Sequence, residues 1–156
     1  NTCATANPLW TFKVKLCCFQ HRTTEQTMKF GYTIVYVPDV KASVEFFERA
    51  FGLKTRFVHE SGYAEMDTGE TALAFASHQL GHGNLPDGYM KASECALPLG
   101  MEIALVTHDV ASAHANAIHA GATSIKEPVL KPWGQTVSYV RCPDGTLIEL
   151  CTPVAT

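Results

Sequence analysis

The sequence predicts an α+β fold built from two βαβββ repeats, and three observations predict it. The order strand, helix and three strands can be read twice along the chain. Two aspartates suited to capping a helix, Asp39 and Asp109, stand 70 residues apart, and two helix-ending glycines, Gly52 and Gly121, stand 69 apart. Between the two copies, about 28–77 and 100–154, lies a linker of residues 78–99 rich in Gly, Pro and polar side chains.

The first strand is "FGYTIVYV" (30–37), a β-branched and aromatic run that Pro38-Asp39 ends. A helix follows in "VKASVEFFERAFG". Its apolar residues Val40, Val44, Phe47 and Phe51 fall on one face, and Gly52 supplies the left-handed stop. Three strand-like runs come next, "KTRFVHE", "GYAEMD" and "TALAFAS", separated by the turn signals Ser61-Gly62 and Gly69-Glu70. The second copy has strand "MEIALVT" (101–107), capping Asp109, helix "VASAHANAIHA", and strands near "TSIKEPVL", "TVSYVRC" and "TLIELCT".

A chain of 156 residues holds one domain with a substantial core. With 46% apolar and 17% charged residues it is a folded chain, and a net charge of only −3 leaves no basic footprint for nucleic acid. The six cysteines form no CxxC pair and have no His partners at zinc-finger spacing, so a reduced, cytoplasmic protein is expected. The apolar stretch "PLWTFKVKLCCF" is interrupted by Lys13 and Lys15 and predicts no membrane span.

From about Met28 to Val154 the chain resembles the vicinal oxygen chelate superfamily: glyoxalase I, bleomycin-resistance proteins, fosfomycin-resistance enzymes and extradiol dioxygenases. The pieces that carry the resemblance are "YVPDVKASVEFFERAFGLK", "GMEIALV", "HAGA" and "WGQTVSYVRCPDGTLIEL". It implies that each repeat curls into a cup-shaped mixed sheet with its helix outside, and that two cups form a cavity. It also implies a homodimer, because in bleomycin-resistance-like members and bacterial glyoxalases the cavity lies between subunits. A role in antibiotic resistance is implied by the resemblance alone.

Strand alternation fits such a cup. With Val35 and Val37 against the helix, Tyr32, Ile34 and Tyr36 point inward; with Leu73 and Phe75 against it, Ala72, Ala74 and Ala76 line the floor and leave room. In the second repeat Glu102, Ala104 and Val106, and Leu147, Glu149 and Cys151, point inward. A carboxylate in the middle of "LIELC" is expensive to bury unless paired, hydrogen-bonded or bound to a cation, so Glu149 is either an outward-facing bystander or part of a site.

By motif, the superfamily's four metal-ligand positions fall on Tyr32, Ala74, Glu102 and Glu149, where glyoxalases have His at the first and third. Only Glu149 keeps its usual type, and none of the seven histidines falls on a matching position. No cofactor is therefore expected, and a divalent metal is disfavoured, with Glu102 and Glu149 as the weak candidates. That carboxylate pair remains suited to binding a basic ligand, to acid and base catalysis, or to holding a hard cation. Tyr32, Tyr36, Tyr63 and Trp133, with Gln135 as a polar contact, offer flat surfaces for a planar or cationic molecule, and His78, His82 and Tyr89 lie on the linker above them.

Residues 1–27 read as an extension ahead of the repeats, in which Trp10, Phe12, Val14, Leu16 and Cys18 alternate as in one half-buried strand. The function expected is sequestration of a small cationic or aromatic molecule, as in bleomycin-resistance proteins, by a homodimer without nucleic-acid or membrane partners. The alternative is a lyase, isomerase or dioxygenase-like enzyme using Glu102 and Glu149.

Overall fold

A computed structural model describes residues 28–154; the strand expected between Trp10 and Cys18 lies outside them. Strand β1 (Tyr32–Val37) leads to helix α1 (Val40–Phe51), then β2 (Lys54–His59), β3 (Tyr63–Asp67) and β4 (Ala72–Ser77). The second half repeats the order with β5 (Ile103–Val106), α3 (Val110–Ala120), β6 (Thr123–Leu130), β7 (Thr136–Arg141) and β8 (Leu147–Cys151). The linker, expected to be irregular, holds helix α2 (His78–Asn84) and a 3₁₀ turn at Ala92–Glu94.

Both capping aspartates act as their positions require. Asp39 accepts from the Ala42 amide at 3.0 Å and Asp109 from the Ser112 amide at 3.0 Å, satisfying donors that the first turn of each helix leaves free. Gly52 ends α1 with φ 68°.

The two sheets have the same wiring, β1-β4-β3-β2 and β5-β8-β7-β6, with the first pair of each parallel and the others antiparallel. Each helix covers one face of its own sheet, and α1 also packs on α3. Their apolar stripes meet in one core that includes Val37, Phe47, Phe75, Val110, Ala117, Val140 and Ile148. The Phe47 and Phe75 rings stand 4.8 Å apart, both fully buried. Truncating such a side chain costs about 3–5 kcal/mol.

Because the helices cover one face of each sheet, the other face is turned away from the core. Val35 and Val37 are buried in the core while Tyr32 and Ile34, at the alternate positions of the strand, stand exposed, 58% and 45%. The turned-away faces are where the expected ligand residues lie.

Candidate functional site

On the turned-away face of the second sheet, β8 sits between β5 and β7. Its alternation puts Ile148 and Leu150 in the core and leaves Leu147, Glu149 and Cys151 on the other side. Glu149 lies in register with Ala104 on β5 and Tyr139 on β7. The Tyr139 hydroxyl donates to Glu149 Oε1 at 3.1 Å. Burial, this hydrogen bond and the charge of Glu149 push the Tyr139 phenol above its ordinary value, so it stays a neutral donor. Ala104 opposite is too short to cover the carboxylate, which remains half-buried.

Glu102 is not in register with this pair. The strand starts two residues later than expected, at Ile103, and the exposed Glu102 precedes it. Ala104, not Glu102, is the register partner of Glu149, although the charge of Glu102 still reaches Tyr139.

The first sheet repeats a Tyr–Glu pair on different strand positions. Tyr63, Glu65 and Asp67 face away from the core, with Ala64 and Met66 buried beneath them. Tyr63 donates to Glu65 Oε1 at 3.0 Å, and burial followed by this bond pushes Tyr63 up to about 12. Arg56 Nη1 stands 3.5 Å from Glu65 Oε2.

Ala74, the register partner of Glu65 and Ile34, is fully buried rather than an open floor. Three alanines on a central strand leave room only until longer side chains on both flanking strands close over them. Tyr36 is also occupied: its ring lies 4.9 Å from that of Tyr89, whose hydroxyl is 2.7 Å from His78 Nδ1. Gly81 of α2 makes this clasp fit, since a Cβ there would stand 2.6 Å from the Tyr89 hydroxyl.

Trp133, expected to line the cavity, stands 61% exposed in the β6–β7 turn. Its Nε1 donates to Gln135 Oε1 at 2.9 Å, and Gln135 Nε2 donates to the Thr152 carbonyl at 2.7 Å. Gln135 is therefore committed to holding the turn. Arg141, one step along the face from Tyr139, donates to the Ala92, Cys95 and Ala96 carbonyls and ties the end of the linker to this sheet.

The four metal-ligand positions thus offer an exposed phenol, a buried methyl, a carboxylate off its strand and the hydrogen-bonded Glu149. Among the described residues no three His, Cys, Asp or Glu side chains gather where they would hold an ion. This donor set does not fit a glyoxalase-type metal centre, which needs imidazole nitrogen and several converging ligands.

Glu65, Tyr139 and Arg141 join these faces without being expected there from the sequence. Their signal was present in the alternation of "YAEMD" and "TVSYVR", which places each on the same face as the named residues.

Residues 29–150 match the family model described as the Glyoxalase/Bleomycin resistance protein/Dioxygenase superfamily. An uncharacterized protein of Bacillus subtilis, YwbC, is 31% identical over 125 residues, covering 78% of this chain and 94% of that one. A glyoxalase-related enzyme from Fulvimarina pelagi has a similar structure, with TM-score 0.71 and 18% identity over 81% of this chain and 89% of that one. A glyoxalase/bleomycin resistance protein/dioxygenase family enzyme from Burkholderia phytofirmans PsJN gives TM-score 0.69 and 18% identity, covering 82% of this chain and all of that one (100%). Among the described residues no helix is long and apolar enough to cross a membrane.

Proposed function

We propose that this chain, which belongs to the Glyoxalase/Bleomycin resistance protein/Dioxygenase superfamily, binds a small cationic or aromatic molecule on the sheet faces turned away from its helices, without a metal ion. The observation that carries this reading is the Tyr139–Glu149 pair, a half-buried carboxylate held by a neutral phenol at 3.1 Å and left open on its Ala104 side. One carboxylate lone pair set is spent on Tyr139, and the rest is available to a donor or a cation.

The exposed apolar side chains of the same faces support a homodimer. Tyr32, Ile34, Phe57 and Val106 are 58%, 45%, 44% and 66% exposed, and a second copy laid on them makes an enclosed cavity from two open faces.

A thermal-shift screen of the purified chain tests the proposal, because a ligand that binds only the native state raises the unfolding midpoint. Organic amines and flat aromatic cations are expected to raise it, Glu149→Gln to abolish the effect, and Mn²⁺, Ni²⁺ and Zn²⁺ to leave it unchanged. Stabilisation by those metals that disappears in Glu149→Gln would overturn it in favour of a metal-dependent enzyme.

A further inference from the structure

Glu65 is the buried carboxylate on the turned-away face of the first sheet, and it occupies none of the superfamily's ligand positions. We infer that Glu65, with Tyr63 and Phe57 beside it, forms a subsite for a protonated nitrogen of the ligand, an amine or an amidine. This rests on the reading that these faces bind a small molecule, and it names the group that the first sheet recognises.

Glu65 is only 7% exposed, and its two oxygens are unequally engaged. Tyr63 takes Oε1 at 3.0 Å. Among the described residues Oε2 has only Arg56 Nη1, at 3.5 Å, the far edge of hydrogen-bond reach. The other guanidinium nitrogen, Nη2, is drawn to the rim by Asp67 at 3.2 Å and by the Gly69 carbonyl at 3.1 Å. A carboxylate this buried normally collects two or three donors, so one strong acceptor position is left for an external donor.

The neighbours suit a cation. Phe57 is the register partner of Glu65, and its ring centroid lies 6.0 Å from that of Tyr63, two residues earlier on the same face. Two aromatic rings on the same face as the carboxylate add their quadrupoles to its charge in attracting a positively charged, flat group. The small side chain of Ala74 opposite keeps a direct competitor for Glu65 off the central strand. In the second repeat the carboxylate sits on β8 as Glu149; in the first it sits one strand over, on β3, so both sheets present a Tyr–Glu pair from different strands.

Benzamidine is a suitable probe, with neutral benzamide as its isostere, in isothermal titration calorimetry of the full chain. Benzamidine is expected to bind and benzamide to fail. Glu65→Gln should weaken benzamidine about tenfold or more, the effect of losing a hydrogen bond to a charged partner. Should Glu65→Gln not fold, Arg56→Gln supplies the readout: removing the internal cation should tighten benzamidine binding severalfold. No benzamidine binding to the wild-type chain, unchanged binding in Glu65→Gln, or unchanged or weaker binding in Arg56→Gln overturns the inference. Binding lost in Glu149→Gln but kept in Glu65→Gln leaves the second sheet as the site and removes only the Glu65 subsite. The reverse pattern keeps Glu65 and removes Glu149 from the proposed function.

Discussion

Ser43 on α1 donates a 3.0 Å hydrogen bond to Asp144 in the β7–β8 turn, a buried contact between residues 101 positions apart. Asp144 also accepts the Thr146 amide at 2.9 Å, so one carboxylate shapes its own turn and ties it to the helix of the other repeat. Ser43→Ala leaves a buried carboxylate short of a donor and should cost about 1–3 kcal/mol in urea unfolding. Asp144→Ala should cost more, because the Thr146 amide is orphaned as well. Equal midpoints for wild type and Ser43→Ala would mean that the repeats hold together without this bond.

Gly145 tests how the linker is seated. It has φ 90°, and a Cβ there would stand 2.3 Å from the Ala92 carbonyl carbon. Gly121, at φ 115°, has nothing among the described residues within 4 Å of its would-be Cβ. Both alanine variants carry the left-handed penalty of about 1–2 kcal/mol, but only Gly145→Ala must also push the linker backbone away. Gly145→Ala should therefore be the less stable of the two, with faster proteolysis between residues 85 and 100 because the Arg141 bonds to Ala92 and Cys95 are strained. Equal stability and equal proteolysis of the two variants would show that the linker yields at no cost.

The repeats were legible because they rest on local signals. Asp39 with Gly52 and Asp109 with Gly121 bound each helix whatever packs around it, and alternation assigns each strand's faces. The site was legible only in part. Glu149 could be named from its own strand, but its partner Tyr139 lies across a strand pair whose register depends on the β7–β8 turn. Motif spacing points to Glu102, and a strand that begins two residues later than expected leaves it off the sheet. Tyr36 was assigned by alternation, which cannot foresee that Tyr89, 53 positions later, covers its ring. Carry-over by motif pointed at Ala74 and missed Glu65 directly across from it.

The alkaline limb of stability should report Tyr63. Its phenol is pushed from 10.0 up to about 12, by burial first and the Glu65 bond second. The unfolded chain loses this proton first as pH rises, so the contribution is complete below pH 10 and is lost between about pH 10 and 12. Unfolding free energy measured across that window should fall more steeply for wild type than for Tyr63→Phe. Identical slopes would mean that Tyr63 is solvated like a free phenol.

The acid limb should report the linker clasp. His78 accepts or donates at Nδ1 with the Tyr89 hydroxyl 2.7 Å away, and its Nε2 is buried without a partner among the described residues. Burial, then Lys91, hold its pKa below the ordinary 6.5; the charge of Glu94 opposes them and that of His82 adds to them. A group held low contributes stability above its unfolded value and loses it as pH falls, because the unfolded chain binds the proton first. Stability should therefore decline below about pH 6.5, as charge on His78 meets an unsolvated nitrogen, Lys91 and His82. Unfolding midpoints recorded from pH 7 to pH 5 should drop less in His78→Gln than in wild type, and Tyr36 fluorescence should change in the same range as the Tyr89 ring leaves it. Parallel pH profiles for the two proteins would place the acid sensitivity elsewhere and leave α2 as a purely apolar cover of the first sheet.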